Sequence, residues 1–304
     1  MTQGPETEPA CSPGDTPAVE LVIEGRPRDL GGFSVRRTIP SGLRRAVGPF
    51  IFLDHMGPVD FAPGSGMDVR PHPHIGLATI TYLLAGEILH RDSIGNAQAI
   101  RPGDVNWMIA GRGVAHSERT PPEVRARGGR ALGLQTWVAL PQDREDIAPS
   151  FEHHPQHTLP VVDRNGAILR VLAGTAYGET APTSVLAPTL YVHGALAAGA
   201  ELAIDDAHAE RAVYVIDGEI ACDDRAFGSA TLIVLRPGVD VTICAHTPAN
   251  VMLVGGAPLD GPRHLWWNFV SSTRERIERA KADWREGRFA TVAGDEHERV
   301  ALPE

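Results

Sequence analysis

The chain has 304 residues, 42% of them hydrophobic, with 32 glycines and 25 prolines set between short apolar runs and a formal charge of −10. That length exceeds one ordinary core and suits two domains, and the Gly and Pro punctuation belongs to a turn-rich, mostly β protein. Acidity without a concentrated Lys or Arg stretch argues against direct nucleic-acid binding, three scattered cysteines without a C-x-x-C argue against a disulfide framework or thiolate zinc site, and no apolar run reaches membrane-spanning length.

Residues 1–18 are polar, rich in Pro, Gly, Thr and Glu, and lack the basic and apolar regions of a signal peptide, so they read as a disordered tail on a soluble, cytoplasmic protein. From Val19 onward, β-type runs alternate with turns: Leu21-Val22-Ile23, Phe50-Ile51-Phe52-Leu53, Ala78 to Leu84, Val105 to Ile109 and Leu134 to Leu140. This spacing predicts a sandwich or barrel.

The segment Tyr82-Leu83-Leu84-Ala85-Gly86-Glu87-Ile88, followed by Arg101-Pro102-Gly103, recurs as Tyr214-Val215-Ile216-Asp217-Gly218-Glu219-Ile220, followed by Arg236-Pro237-Gly238. The copies stand 132 residues apart at Gly86 and 135 at Gly103. Strand, turn glycine and Pro-Gly turn together predict a duplication. The chain thus divides into barrels at 19–150 and 151–270 and a helix with tail at 271–304. In that last piece Ser272-Thr273-Arg274-Glu275 reads as a capping box, Ile277, Ala280 and Trp284 share a helical face, and Gly287 ends the helix, which is expected to cover a barrel face.

Two segments carry metal-type chemistry. In Pro71-His72-Pro73-His74, an extended backbone turns both imidazoles to one side while Pro73 faces away. In His116-Ser117-Glu118, the same alternation pairs a nitrogen with a carboxylate oxygen. Together they predict one centre of three imidazoles and one carboxylate, suited to Fe(II), Mn, Co, Ni or Zn rather than Cu(I). Asp54-His55 and His90-Arg91-Asp92 could orient ligands, although structural or surface roles are the preferred reading. Gly111-Arg112-Gly113 reads as a tight turn, and Trp266-Trp267 as packing rather than a stacking platform.

Phe52-Leu53-Asp54-His55, Pro71-His72-Pro73-His74, Tyr82-Leu83-Leu84-x-Gly86 and Asn106-Trp107-Met108-x-Ala110-Gly111-Arg112-Gly113-x-x-His116-x-Glu118 resemble the pirins over roughly residues 20–285. The resemblance implies an all-β bicupin whose first barrel binds one divalent metal, most often iron, with Cu(II) also compatible, through His72, His74, His116 and Glu118. The second barrel should lack a complete site, and the repeat offsets put Ile204, Asp206, Val251 and Leu253 at its ligand positions. One departure is Ala78, where many cupins carry a further glutamate. The implied activity is that of a quercetin 2,3-dioxygenase acting on a flavonol or similar enol with O2, with Glu118 as candidate base. The alternative is an iron-dependent redox sensor acting through a protein partner.

Overall fold

The computed structural model describes residues 17–30 and 32–303. Two β-barrels stand side by side. In the first, a seven-stranded sheet runs across the strands Ser150–His154, Val105–Ile109, Leu77–Ala85, Gly129–Ala139, Phe50–Phe61, Ser34–Ile39 and Arg26–Asp29. A four-stranded sheet of Asp68–His74, Val114–Arg119, Ile88–Asp92 and Ala97–Ile100 closes it. The second barrel repeats the four-stranded order with Glu201–Ile204, Val241–Ala245, Glu219–Cys222 and Arg225–Gly228. Its large sheet runs from Val19–Glu24 through Thr231–Leu235, Glu210–Asp217, Ala249–Gly256, Thr189–Leu196 and Ala167–Ala176 to Val161–Arg164. The fold is therefore the expected bicupin, and Gly86 and Gly218 occupy matching turns with φ of +91° and +76°.

The strand pairing corrects two expectations. Val19–Glu24 pairs with Thr231–Leu235 in the second barrel's sheet, and Ser150–His154 edges the first. Each barrel thus borrows a strand across the boundaries drawn at Val19 and Ser150. The crossing occurs at Gly25, where a Cβ would lie 3.0 Å from the Ala230 carbonyl oxygen and 3.1 Å from Arg36 Cβ. The tail expected over residues 1–18 falls outside the described residues as far as 16. At Ala18 the chain is already bound, buried and accepting a hydrogen bond from the Arg236 N–H at 2.8 Å.

The large sheets pack face to face through Leu53, Ile80, Tyr82 and Trp107 of one and Tyr191, Tyr214, Leu232 and Met252 of the other. Two reciprocal hydrogen bonds cross this layer: His55 Nδ1 to the Tyr214 hydroxyl and His193 Nδ1 to the Tyr82 hydroxyl, each 2.9 Å. Tyr82 and Tyr214 are equivalent in the repeat, so the interface is nearly self-complementary, as between two copies about a twofold axis. The interiors differ. One continuous apolar cluster fills the second barrel, whereas the first is split into two smaller clusters that leave a cavity between them.

After the second barrel the chain returns to the first. The helix Arg274–Arg285 buries Ile277, Ala280 and Trp284 against Ile75, Ala115 and Phe269. It therefore covers the outer side of the strands whose inward residues include His74 and His116. Its N-cap is Thr273, whose Oγ1 accepts the Arg276 N–H at 3.4 Å, not Ser272 as the capping-box pattern suggested. Ser272 instead gives its N–H and hydroxyl to the buried Glu145 carboxylate at 2.8 and 2.9 Å. Among the described residues no helix is long and apolar enough to cross a membrane.

Candidate metal centre

Three neighbouring strands each turn two inward residues toward one region. The strand Asp68–His74 supplies His72 and His74, Val114–Arg119 supplies His116 and Glu118, and Ile88–Asp92 supplies His90 and Asp92. Register brings them together: His116 stands opposite His72 on one side and Asp92 on the other, and Glu118 stands opposite His90. A bulge between His116 and Glu118 sets Glu118 against Val69 rather than in line with the first histidine strand.

The rings of His72, His74 and His116 have centroids 4.4 to 4.9 Å apart, and His74 Nε2 lies 3.0 Å from His116 Nε2. Ligand atoms of these three lie within 4.8 Å of one another, and so do those of His90, His116 and Glu118. His116 is common to both groups. The structure thus gathers all three predicted histidines at one point and puts Glu118 beside the last of them.

Hydrogen bonds fix how two of the rings present themselves. His72 Nδ1 is 2.9 Å from the Arg70 carbonyl oxygen, which only accepts, so Nδ1 carries the proton and Nε2 the lone pair. His90 Nε2 donates to Asp92 Oδ2 at 3.2 Å, which leaves His90 Nδ1 to accept from His116 Nδ1 at 3.3 Å. His116 Nε2 then carries a lone pair, which faces His74 Nε2 at 3.0 Å. This chain of carboxylate, imidazole and imidazole is the usual way a ligand histidine is oriented. Burial pushes the His72 pKa down to about 4, and His74 and His116 lie well below the ordinary value, first through burial and then through His72. All three are neutral at pH 7. Three neutral imidazoles facing one point, with a carboxylate at the side, are a donor set that fits a divalent cation.

Burial raises the Glu118 pKa, opposed by His90 and by the Thr81 hydroxyl, which donates to Glu118 Oε1 at 3.1 Å. Thr81 also lies 2.9 Å from the Gln135 amide. It comes from the strand Leu77–Ala85, whose opposite face carries Ala78 into the layer between barrels. A longer side chain at position 78 would therefore point away from the centre.

The imidazoles form the floor of a cavity of about 530 Å³. One wall is a stack set by cross-strand register. Arg37 pairs with Asp54 and Phe52 with Trp137, so the Arg37 guanidinium lies 4.3 Å from the Phe52 centroid, Phe52 stacks on Trp137 at 3.9 Å, and Trp137 meets the edge of His74 at 5.2 Å. Arg37 also holds Asp54 through Nε and Nη2 at 2.7 and 2.8 Å. The mouth is completed by Phe33 and by the returning C-terminal segment, with Trp267, Asn268 and Val300.

Several sequence expectations change here. His90, read as structural or surface, is buried against His116. Asp54 lines the cavity, but His55 faces the neighbouring barrel. Trp267 lines the mouth, while Trp266 packs on Phe269 and Lys281 as expected. Thr81 and Gln135 were missed, since neither carries a metal-ligand signature.

In the second barrel the ligand positions need reassignment. Arg236-Pro237-Gly238 follows the strand Thr231–Leu235, whereas Arg101-Pro102-Gly103 precedes its counterpart Val105–Ile109, so the two turns are not equivalent. Pairing register gives the match instead: Ile204 faces Val241 as His72 faces His116, and Ile243 falls at the place of Glu118. Val251 and Leu253 lie on a different strand. Ile204, Val241 and Ile243 are all buried in the apolar interior and offer no ligand atom.

The pirin description matches residues 32–138, and that of the pirin C-terminal cupin domain matches residues 191–290. A pirin-like protein of Caulobacter vibrioides is 47% identical over 289 residues, covering 94% of this chain and 100% of its own length. The crystal structure of a quercetin 2,3-dioxygenase from Acinetobacter baumannii superposes with a TM-score of 0.87 at 33% identity, covering 93% of this chain and 95% of that one. An Escherichia coli pirin solved in complex with nickel(II) shares the fold, with a TM-score of 0.62 at 20% identity over 79% of this chain and 99% of that one. Matched in both halves and close to a full-length relative, this chain belongs to the pirin family.

Proposed function

We propose that this chain is a metal-dependent dioxygenase of the quercetin 2,3-dioxygenase type, working in the cytoplasm on a flavonol or similar planar enol and O2. The centre in this reading is one Fe(II) held by His72, His74, His116 and Glu118. One observation carries it: neutral imidazoles form the floor of a cavity of about 530 Å³ walled by stacked aromatic rings. A volume of this size takes a polycyclic phenol. The family likeness to a quercetin 2,3-dioxygenase of Acinetobacter baumannii supports the same substrate class.

An ion held by His72, His74, His116 and Glu118 would supply Lewis acidity that favours ionisation of the enol. The protein's own groups do the rest. Thr81 engages Oε1, so Oε2 is the oxygen that would hold the ion and, once its bond to the ion lengthens as substrate enters, take the enol proton, and the burial-raised pKa makes Glu118 a better base than an exposed carboxylate. The stacked Phe52 and Trp137 rings give the substrate an apolar wall. Asp54, held by Arg37 at the rim, accepts hydrogen bonds from outer ring hydroxyls. The test is O2 consumption with quercetin by metal-loaded protein and by His74→Ala. Uptake by the former and only background by the latter is expected, and equal background in both would remove the enzymatic reading.

A further inference from the structure

Behind the aromatic wall lies a second cavity, of about 340 Å³, formed by the strands Arg26–Asp29 and Ser34–Ile39 and the turn at 40–45. Four arginines line it, Arg26, Arg28, Arg37 and Arg45, with Glu24 as the one carboxylate in the lining. On a chain of net charge −10 this is a local reversal of sign. Arg37 is paired with Asp54, and the neighbouring Arg44 with Glu20 and Glu210, but Arg26, Arg28 and Arg45 have no ion-pair partner among the described residues. A second, independent feature points the same way. Thr38 lines the cavity, is 1% exposed, and its hydroxyl has no hydrogen-bond partner. An unpaired buried hydroxyl is costly, and rotation of the Thr38 side chain toward the cavity would let a ligand satisfy it.

We propose that this cavity binds a small tetrahedral oxyanion, a phosphate or sulfate group, free or as the ester of a small molecule. Arginines from two strands and a turn line it, and Thr38, with its unpaired hydroxyl, stands among them. Such a spread of donors suits acceptor oxygens pointing in several directions better than the planar pair of a carboxylate. Arg37 and Pro40 line this cavity and the metal cavity alike. The guanidinium spends Nε and Nη2 on Asp54, which leaves Nη1 for the anion. An occupied site therefore sits one side chain away from the substrate cavity, yet it requires no metal and does not depend on the proposed reaction.

The experiment is calorimetric titration of the full-length protein with inorganic phosphate, against chloride at matched ionic strength, and with phenyl phosphate against phenol. Saturable phosphate binding is expected, weakened roughly tenfold or more in Arg28→Gln/Arg45→Gln through loss of charge-assisted bonds and several-fold in the isosteric Thr38→Val. Arg164→Gln, exposed on the second barrel, should leave it unchanged. Tighter binding of phenyl phosphate than phosphate identifies an ester as the ligand, and equal binding identifies the free anion. Unsaturable heats, or saturable binding indifferent to both the arginine pair and Thr38, would overturn the proposal.

Discussion

The layer between the barrels makes stability strongly dependent on pH. His55 and His193 each face a tyrosine across it, and burial pushes both pKa values down to about 4 from 6.5, opposed by Asp217 at His55 and by Asn250 and Asp217 at His193. The unfolded chain protonates these rings near 6.5, while the folded chain resists until about 4. Their contribution is therefore fully present above the unfolded pKa and is lost as pH falls toward the folded one. The slope is about 1.4 kcal/mol per pH unit for each histidine, or about 3 kcal/mol across the window for a fully buried ring. His193 is part-buried and counts for less. In His55→Asn/His193→Asn the amide keeps a polar atom near the Nδ1 position and does not titrate. Urea denaturation followed by circular dichroism, in steps between neutral and mildly acidic pH, should give this variant a stability slope shallower by about 1–3 kcal/mol per pH unit than wild type. The metal-site histidines titrate in both proteins and cancel in the comparison. An unchanged slope would refute the assignment of these rings as buried and neutral.

Three further outcomes follow from the centre and its support. His90→Ala removes the acceptor that orients His116 and should weaken metal affinity by about 10–100-fold in a competition titration with a chromophoric chelator; unaltered affinity would remove the relay. Thr81→Val takes away a donor that holds the Glu118 pKa down, so the acid limb of the O2-uptake profile should move to higher pH, and a fixed limb would show that Glu118 is not the base. Trp284→Ala opens the contact between the helix and the ligand strands and should cost about 3–5 kcal/mol of stability, read as a lower Tm; a shift within error would mean that the helix does not clamp those strands.

Local alternation in the sequence sufficed for the histidines. His72 with His74 and His116 with Glu118 share a face because extended chains alternate, and that rule needs no knowledge of neighbours. His90 and Asp92 obey the same alternation, but their meaning depends on lying beside the His116 strand, a pairing between distant residues that no local pattern encodes. The same limit explains the exchanged strands Val19–Glu24 and Ser150–His154, whose pairing partners lie far away in the sequence. The repeat was legible at Tyr82 and Tyr214, where turn and strand coincide. It misled at Arg-Pro-Gly, because Pro-Gly turns recur wherever a hairpin barrel needs them. The helix was evident from Ile277, Ala280 and Trp284, yet its cap moved by one residue because Glu145, far away in sequence, claimed Ser272.

A single ion in the first barrel would be seen by anomalous diffraction at the metal edge from crystals of the protein. One peak is expected, about 2.0–2.2 Å from nitrogen of His72, His74 and His116 and from a Glu118 oxygen, with none among Ile204, Val241 and Ile243 of the second barrel. A peak held by other residues, or none at the three imidazoles in metal-loaded crystals, would contradict it.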